Sequence, residues 1–183
     1  MKILCIAGQA EHGKDTFANA LKQQLERVNK KVLIIHNADY LKFIATKYFD
    51  WDGKKDEKGR RLLQQLGTEK IRNFNPDFHA ESVLRIIELF KSDFDYFLIP
   101  DVRFPNEIAI LKDDLDVMSV KINRVNFENS LTEEQRLHSS ETALSDYEFD
   151  YILNMKSGID NVFESTKSFI KTILKEVILN DED

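Results

Sequence analysis

The tightest constraint on this chain lies at its amino end. An apolar run, Lys2-Ile-Leu-Cys-Ile-Ala7, meets Gly8-Gln-Ala-Glu-His-Gly13-Lys14-Asp15-Thr16 and then a helical stripe of Phe17, Leu21, Leu25 and Val28. A buried strand that runs through a glycine-bracketed loop into an amphipathic helix is the opening unit of a parallel α/β sheet. The loop fits G-x-x-x-x-G-K. Gly8 and Gly13 let the backbone curl until successive N–H groups face one point. The helix amino terminus adds partial positive charge there, and Lys14 adds a full one. Such a loop cradles a chain of phosphates, and Gly8, His12, Gly13, Lys14, Asp15 and Thr16 are the residues within reach of it. In the common form of the motif, Ser or Thr follows the lysine and its hydroxyl binds Mg²⁺. Here Asp15 stands in that place, with Thr16 next. A carboxylate is a good hard ligand but adds negative charge beside phosphates. Either Asp15 takes the metal, or it points away and Thr16 serves.

The remainder alternates in the same way. Val32–Ile35, Tyr96–Ile99, Val117–Ile122 and Tyr151–Leu153 read as four further strands. Between them lie helical segments: one capped by Asp39 with a stripe of Leu41, Ile44, Ala45 and Tyr48, then Arg60–Arg72, Ala80–Phe90 and Pro105–Leu111. Thr132 and Gln135 form a capping box that starts a short helix near Glu133. The last stripe is Val162, Phe163, Phe169, Ile170, Ile173, Leu174, Val177 and Ile178, before a frayed tail at 180–183. Asp50–Gly59 is the most polar stretch and reads as a mobile loop. This pattern predicts one α/β domain over residues 1–183: a five-stranded parallel sheet with helices on both faces. Its chemistry then gathers at the carboxyl ends of the strands.

A chain of 183 residues buries an adequate core without staples. Its single cysteine, Cys5, excludes an intramolecular disulfide and a cysteine-rich zinc site, and fits a reducing cytoplasmic setting. Cys5 itself reads as inert core. No apolar run has the length of a membrane span, so no membrane partner is expected. A net charge of −6 with no basic run argues against a nucleic-acid groove, though not against a nucleotide.

A second signal is Tyr96-Phe-Leu-Ile-Pro100-Asp101-Val-Arg103. An acid at the carboxyl end of an apolar strand is the usual partner of a phosphate loop and orients Mg²⁺. Arg103, two residues on, points the same way and can hold a phosphate bidentately. Lys14, Asp101 and Arg103 are therefore the first catalytic candidates, and Asp15, Thr16 and Asp101 the metal candidates.

Gly13-Lys-Asp-Thr16, Arg60-Arg-Leu-Leu-Gln-Gln-Leu-Gly-Thr-Glu69, Ile99-Pro-Asp-Val-Arg103 and His138-Ser-Ser-Glu141 stand in an order that spans most of the chain. With this ordered set the sequence resembles the bacteriophage-type deoxynucleoside monophosphate kinases, within the phosphate-loop nucleoside monophosphate kinase group. The Gly-Lys-Asp-Thr departure is itself a mark of that family. The resemblance implies a three-layer sandwich, the cofactors ATP and Mg²⁺, and transfer of the γ phosphate of ATP to a deoxynucleoside monophosphate. It places a substrate side at about 39–92, with Asp39, Lys42, Gln64, Gln65, Arg72 and Arg103 as substrate contacts. Of these, Lys42 and Arg72 would meet the phosphate, and Gln64 or Gln65 a base edge. It places a lid at about 123–142, with Arg124 as a candidate stabiliser of developing charge. A homodimer is compatible with the family, and a phage-encoded member would work in the host cytoplasm.

Two other readings share the loop. One keeps the kinase and changes the acceptor to dephospho-coenzyme A or another small alcohol, with Asp101 or Asp39 as base. The other is a non-catalytic, GTPase-like nucleotide module. Asp56-Glu-Lys-Gly59 spells D-x-x-G, but in a polar loop, and no N-K-x-D follows. The sequence assigns no role to His36 or His79, and gives His138 and Glu141 a part in packing or lid ordering rather than metal binding.

Overall fold

The computed structural model describes residues 1–113 and 115–180, and side chains as far as Ile173. All five predicted strands are present: β1 (Lys2–Ala7), β2 (Val32–Ile34), β3 (Tyr96–Ile99), β4 (Val117–Arg124) and β5 (Tyr151–Met155). They form one sheet in the order β2-β3-β1-β4-β5, every pair parallel. Among the described residues eight α-helices accompany them: α1 (Lys14–Arg27), α2 (Asp39–Phe49), α3 (Glu57–Gln64), α4 (Phe78–Phe90), α5 (Pro105–Lys112), α6 (Glu133–Leu137), α7 (Ser139–Thr142) and α8 (Ile159–Asn180). A π-helical turn over Gln65–Arg72 continues α3.

Side chains alternate across β1, and each set meets its own helices. Leu4 and Ile6 join Phe17, Leu21 and Leu25 of α1 and Val162, Phe169 and Ile173 of α8. The buried Gln24 of α1 donates to the hydroxyl of Thr166 in α8 and to the Phe163 carbonyl, 3.1 Å away. Ile3, Cys5 and Ala7 face the other way, onto Val83 and Ile87 of α4 and Ile108 and Leu111 of α5. The result is the expected three-layer sandwich. Cys5 is fully buried, and that burial drives its thiol pKa upward. Among the described residues no helix is long and apolar enough to cross a membrane.

Several local expectations change. The polar stretch before Arg60 is partly helical. Asp56 caps α3 by accepting from Gly59 N at 2.8 Å, and the helix starts at Glu57. Asp39 is the first residue of α2 rather than its cap, and its carboxylate accepts from His36 N at 3.2 Å. Tyr48 is 68% exposed, so the α2 stripe that faces inward is Leu41 and Ala45. β4 runs on through Asn123 and Arg124, paired with Asn154 and Met155, two residues past the expected strand end at Ile122. Leu174, Val177 and Ile178 lie beyond the described side chains, and the tail at 181–183 lies outside the described residues.

Candidate active site

Because β1 lies between β3 and β4 at the centre of the sheet, the chain turns to opposite sides at their carboxyl ends, where such folds keep their ligand crevice. A cavity of about 590 Å³ opens there. It is lined by the loop after β1, the β2–α2 turn, α3 and its π-helical continuation, the segment after β3, and α7.

The loop has the backbone its glycines permit. Gly8 sits at φ +149°, where a Cβ would stand 2.5 Å from the Ile122 carbonyl oxygen. Gly13 sits at φ +85°, just before α1. Glu11 also adopts positive φ, 64°. Lys14 is 6% exposed, and its Nζ donates to the Gln9 carbonyl at 2.8 Å. Burial, then Arg103 nearby, lowers its pKa to about 7. The ammonium is thus held inside the loop, short of the negative charge that would restore its ordinary basicity.

The Asp15 carboxylate meets His36 at the end of β2, 2.7 Å from its Nε2. That hydrogen bond holds the Asp15 pKa below the usual carboxylate value and the His36 pKa above its own. His36, given no role from the sequence, is therefore part of the site. Asp15, Thr16 and Asp101 all line the cavity. Both Asp101 oxygens accept backbone N–H groups at the start of α2, from Asn37 at 2.8 Å and Ala38 at 3.0 Å. Asp101 thereby ties the end of β3 to the substrate side.

Arg103 is held by acids. Its guanidinium donates to Glu141 of α7 at 2.6 Å, and its backbone N to Glu107 at 2.7 Å. The second Glu141 oxygen accepts from Ala10 N of the phosphate loop at 3.2 Å. His138 caps α7 by accepting from Ser140 N at 3.2 Å. Glu11 makes a second bridge to this side: it accepts from Ser130 N at 2.9 Å and from Arg60 of α3 at 2.5 Å. Ser130 hydrogen bonds hold its carboxyl below the usual range.

On the far wall, Lys42 pairs with Asp39 at 3.1 Å and lines the cavity. Gln64, Thr68 and Arg72, four residues apart, line it too, because the π-helical turn keeps them on one side. Gly67 lies against Leu41, where a Cβ would come within 2.7 Å of its Cδ2. Arg72 is 9% exposed, with its guanidinium 3.6 Å above the Phe104 ring and 2.8 Å from Glu107. Burial pushes the Glu107 carboxyl up to about 7, against the pull of backbone amides and Arg72.

Four expected side chains are not brought to the cavity or to the use foreseen. Gln65 is exposed and turned away from it. Asp39 lies beside it, engaged with His36 and Lys42. The His12 ring is buried and accepts from Arg124 N at 3.1 Å, so it braces the end of β4 and is not among the residues lining the cavity. Burial and Lys14 keep that imidazole's pKa below its ordinary value. Arg124, being the last residue of β4, lies over Phe127 at 3.8 Å and donates to Ser157 at 2.9 Å, outside the cavity. Arg60, Glu11, His79 and Asn37 line the cavity without having been singled out.

A parallel sheet in this order, with a glycine loop and buried lysine after its central strand, is the phosphate-loop kinase fold. Solved structures share the fold: a sugar kinase from Janibacter sp. HTCC2649 is 11% identical, covering 93% of this chain and 94% of its own, with a TM-score of 0.54. The APS kinase of Mycobacterium tuberculosis, solved with AMPPNP and APS, is 10% identical over 94% and 96%, with a TM-score of 0.50. The chain belongs to the deoxynucleotide monophosphate kinase family, whose model matches residues 31–166. It is 32% identical over 124 residues to the deoxynucleoside-5'-monophosphate kinase of Escherichia phage T5. That match takes in 65% of this chain and 48% of the phage T5 protein, so the chain spans about half the length of that relative.

Proposed function

We propose that the protein transfers the γ phosphate of ATP to a deoxynucleoside monophosphate, giving the diphosphate. The observation that carries this is one cavity with a phosphate loop on one wall and four cations, Lys42, Arg60, Arg72 and Arg103, on the others. The loop binds the donor through its amides and Lys14, and the acceptor lies on the side built by 39–92. Residues 123–142 cover the reaction, as the bridges from Glu11 to Ser130 and from Ala10 to Glu141 suggest.

Two phosphoryl groups meet here with several negative charges between them. Lys14 and Arg103 neutralise that charge, and the covering segment excludes water, so that ATP is not merely hydrolysed. The acceptor phosphate is already a nucleophile at neutral pH and needs no base. Asp15, Thr16 and Asp101 offer hard oxygens within the same cavity and fit a Mg²⁺ ion shared with substrate phosphates. Bound there, the ion would offset phosphate charge.

Calorimetric titration separates this reading from a nucleotide-binding module. ATP preferred over GTP, with a deoxynucleoside monophosphate binding beside an ATP analogue, is expected. GTP preference with no monophosphate binding would overturn it.

A further inference from the structure

Glu11 stands within the phosphate loop, lines the cavity, and is bonded to three other parts of the molecule. Its carboxylate accepts from Nη2 of Arg60 in α3 at 2.5 Å. It also accepts from the backbone N and the hydroxyl of Ser130, at 2.9 Å and 2.5 Å. Its carbonyl oxygen accepts from Nη1 of Arg124, the last residue of β4, at 3.3 Å. Arg60 is 49 residues away along the chain and Ser130 is 119 away, so one side chain joins segments that are remote in sequence. Arg60 is held from a second side by the Lys55 carbonyl, 2.8 Å from its Nε. Glu11 itself adopts φ 64°. Outside glycine that conformation is uncommon and persists where the surroundings fix it, often at functional sites. A lone surface ion pair contributes little. Here charge-assisted bonds from two elements converge on one half-buried carboxylate, which fixes geometry more than it adds stability.

We infer that Glu11 is a positioning residue that couples the two nucleotide sites, by tying the loop that holds the donor to Arg60 on the acceptor wall and to Ser130 in the covering segment. The inference deepens the function proposed above and rests on it. Glu11 belongs to the same bend of main chain as the amides that cradle phosphates, so a donor that fixes the bend fixes Glu11 with it. The carboxylate then holds Arg60 and Ser130 in one arrangement. An acceptor meets α3 and the covering segment already in place, and less ordering is left for its own binding to supply. Glu141 reaches the loop as well, at Ala10, but its other oxygen holds Arg103. That bridge ties the loop to α7 and to the end of β3, whereas the Glu11 bridge ties it to α3. Glu11 acts through Arg60 and Ser130 and not on the reacting phosphates. Its effect therefore belongs in the dependence of one nucleotide's affinity on the other.

The test is calorimetric titration of the full chain with dGMP, dTMP, dCMP and dAMP, each alone and beside a saturating non-hydrolysable ATP analogue with Mg²⁺. For the monophosphate that binds most tightly, the analogue is expected to lower Kd by at least about 5-fold, and that monophosphate to tighten the analogue by the same factor. Glycine takes φ 64° freely, so Glu11→Gly removes the carboxylate and keeps the course of the loop. In that variant the ratio of the two Kd values should fall to within about 2-fold of unity. Glu11→Gln keeps the size without the charge, and its ratio should lie at least about 2-fold below the native one. It carries the comparison should the glycine variant fail to fold. A carboxylate that only stabilised the fold would leave the ratio unchanged. Native coupling kept in the variants, or a native protein whose monophosphate affinity ignores the analogue, would overturn the inference and leave the parent reading standing. Binding of none of the four beside the analogue would overturn the parent reading, and this one with it.

Discussion

Lys14 carries more of the account than any other residue. Removing it takes away a preorganised charge at the phosphates, so Lys14→Ala is expected to lose at least ~10²-fold in turnover. Near-native turnover would remove the loop from the chemistry. The lysine also gives a pH signature. Its pKa is lowered to about 7 by burial, so above that pH part of the free protein holds it neutral. Phosphates beside Nζ favour the charged form. ATP binding at about pH 8 should therefore take up a proton, with much less uptake at about pH 6. Calorimetry in buffers of differing ionisation enthalpy reads this directly, and pH-independent proton balance would contradict it. Arg103 is tethered by Glu141 beside the loop. Arg103→Ala should lower kcat more than it weakens ATP binding, whereas a defect confined to ATP affinity would reassign it to the donor side. Gly8→Ala places a Cβ 2.5 Å from the Ile122 oxygen and should distort the loop, read as lost ATP binding.

At the scale of elements, strands and long helices were legible because period and burial agree. β1 alternates between two apolar clusters, and α1 and α8 present stripes that fill one of them. The cap at Thr132 was legible too, since its partner Gln135 is three residues on; both capping hydrogen bonds form at 3.3 Å. Thr132→Ala should cost about 1 kcal/mol, measurable as a lowered denaturation midpoint. The start of α3 was missed because its cap, Asp56, sits in a charged run without an apolar stripe. There Gly59 is close to backbone: a Cβ would meet the Lys54 carbonyl oxygen at 2.0 Å. Gly59→Ala is expected to destabilise by more than the ~0.5 kcal/mol of an ordinary surface change, and an unchanged midpoint would argue against this packing. The π-helical turn after α3 had no sequence signature, yet it is what aligns Gln64, Thr68 and Arg72.

For the molecule as a whole, the order of motifs foretold which strand ends converge, and Lys14, Asp15, Thr16, Asp101 and Arg103 do line one cavity. Side chains joined across long sequence separation were not foretold. His36 on Asp15, Glu141 on Ala10 and Glu11 on Arg60 pair residues whose partners no local spacing specifies. His12 and Arg124 went astray for the same reason: β4 runs two residues further than its apolar stripe and draws both onto its end. The central claim is that donor and acceptor phosphates meet in this cavity. Incubation with γ-labelled ATP, Mg²⁺ and a deoxynucleoside monophosphate tests it most directly. The label should appear in the terminal phosphate of the deoxynucleoside diphosphate, and not with Lys14→Ala. Label recovered only as inorganic phosphate, or on a hydroxyl acceptor in place of every monophosphate offered, would contradict it.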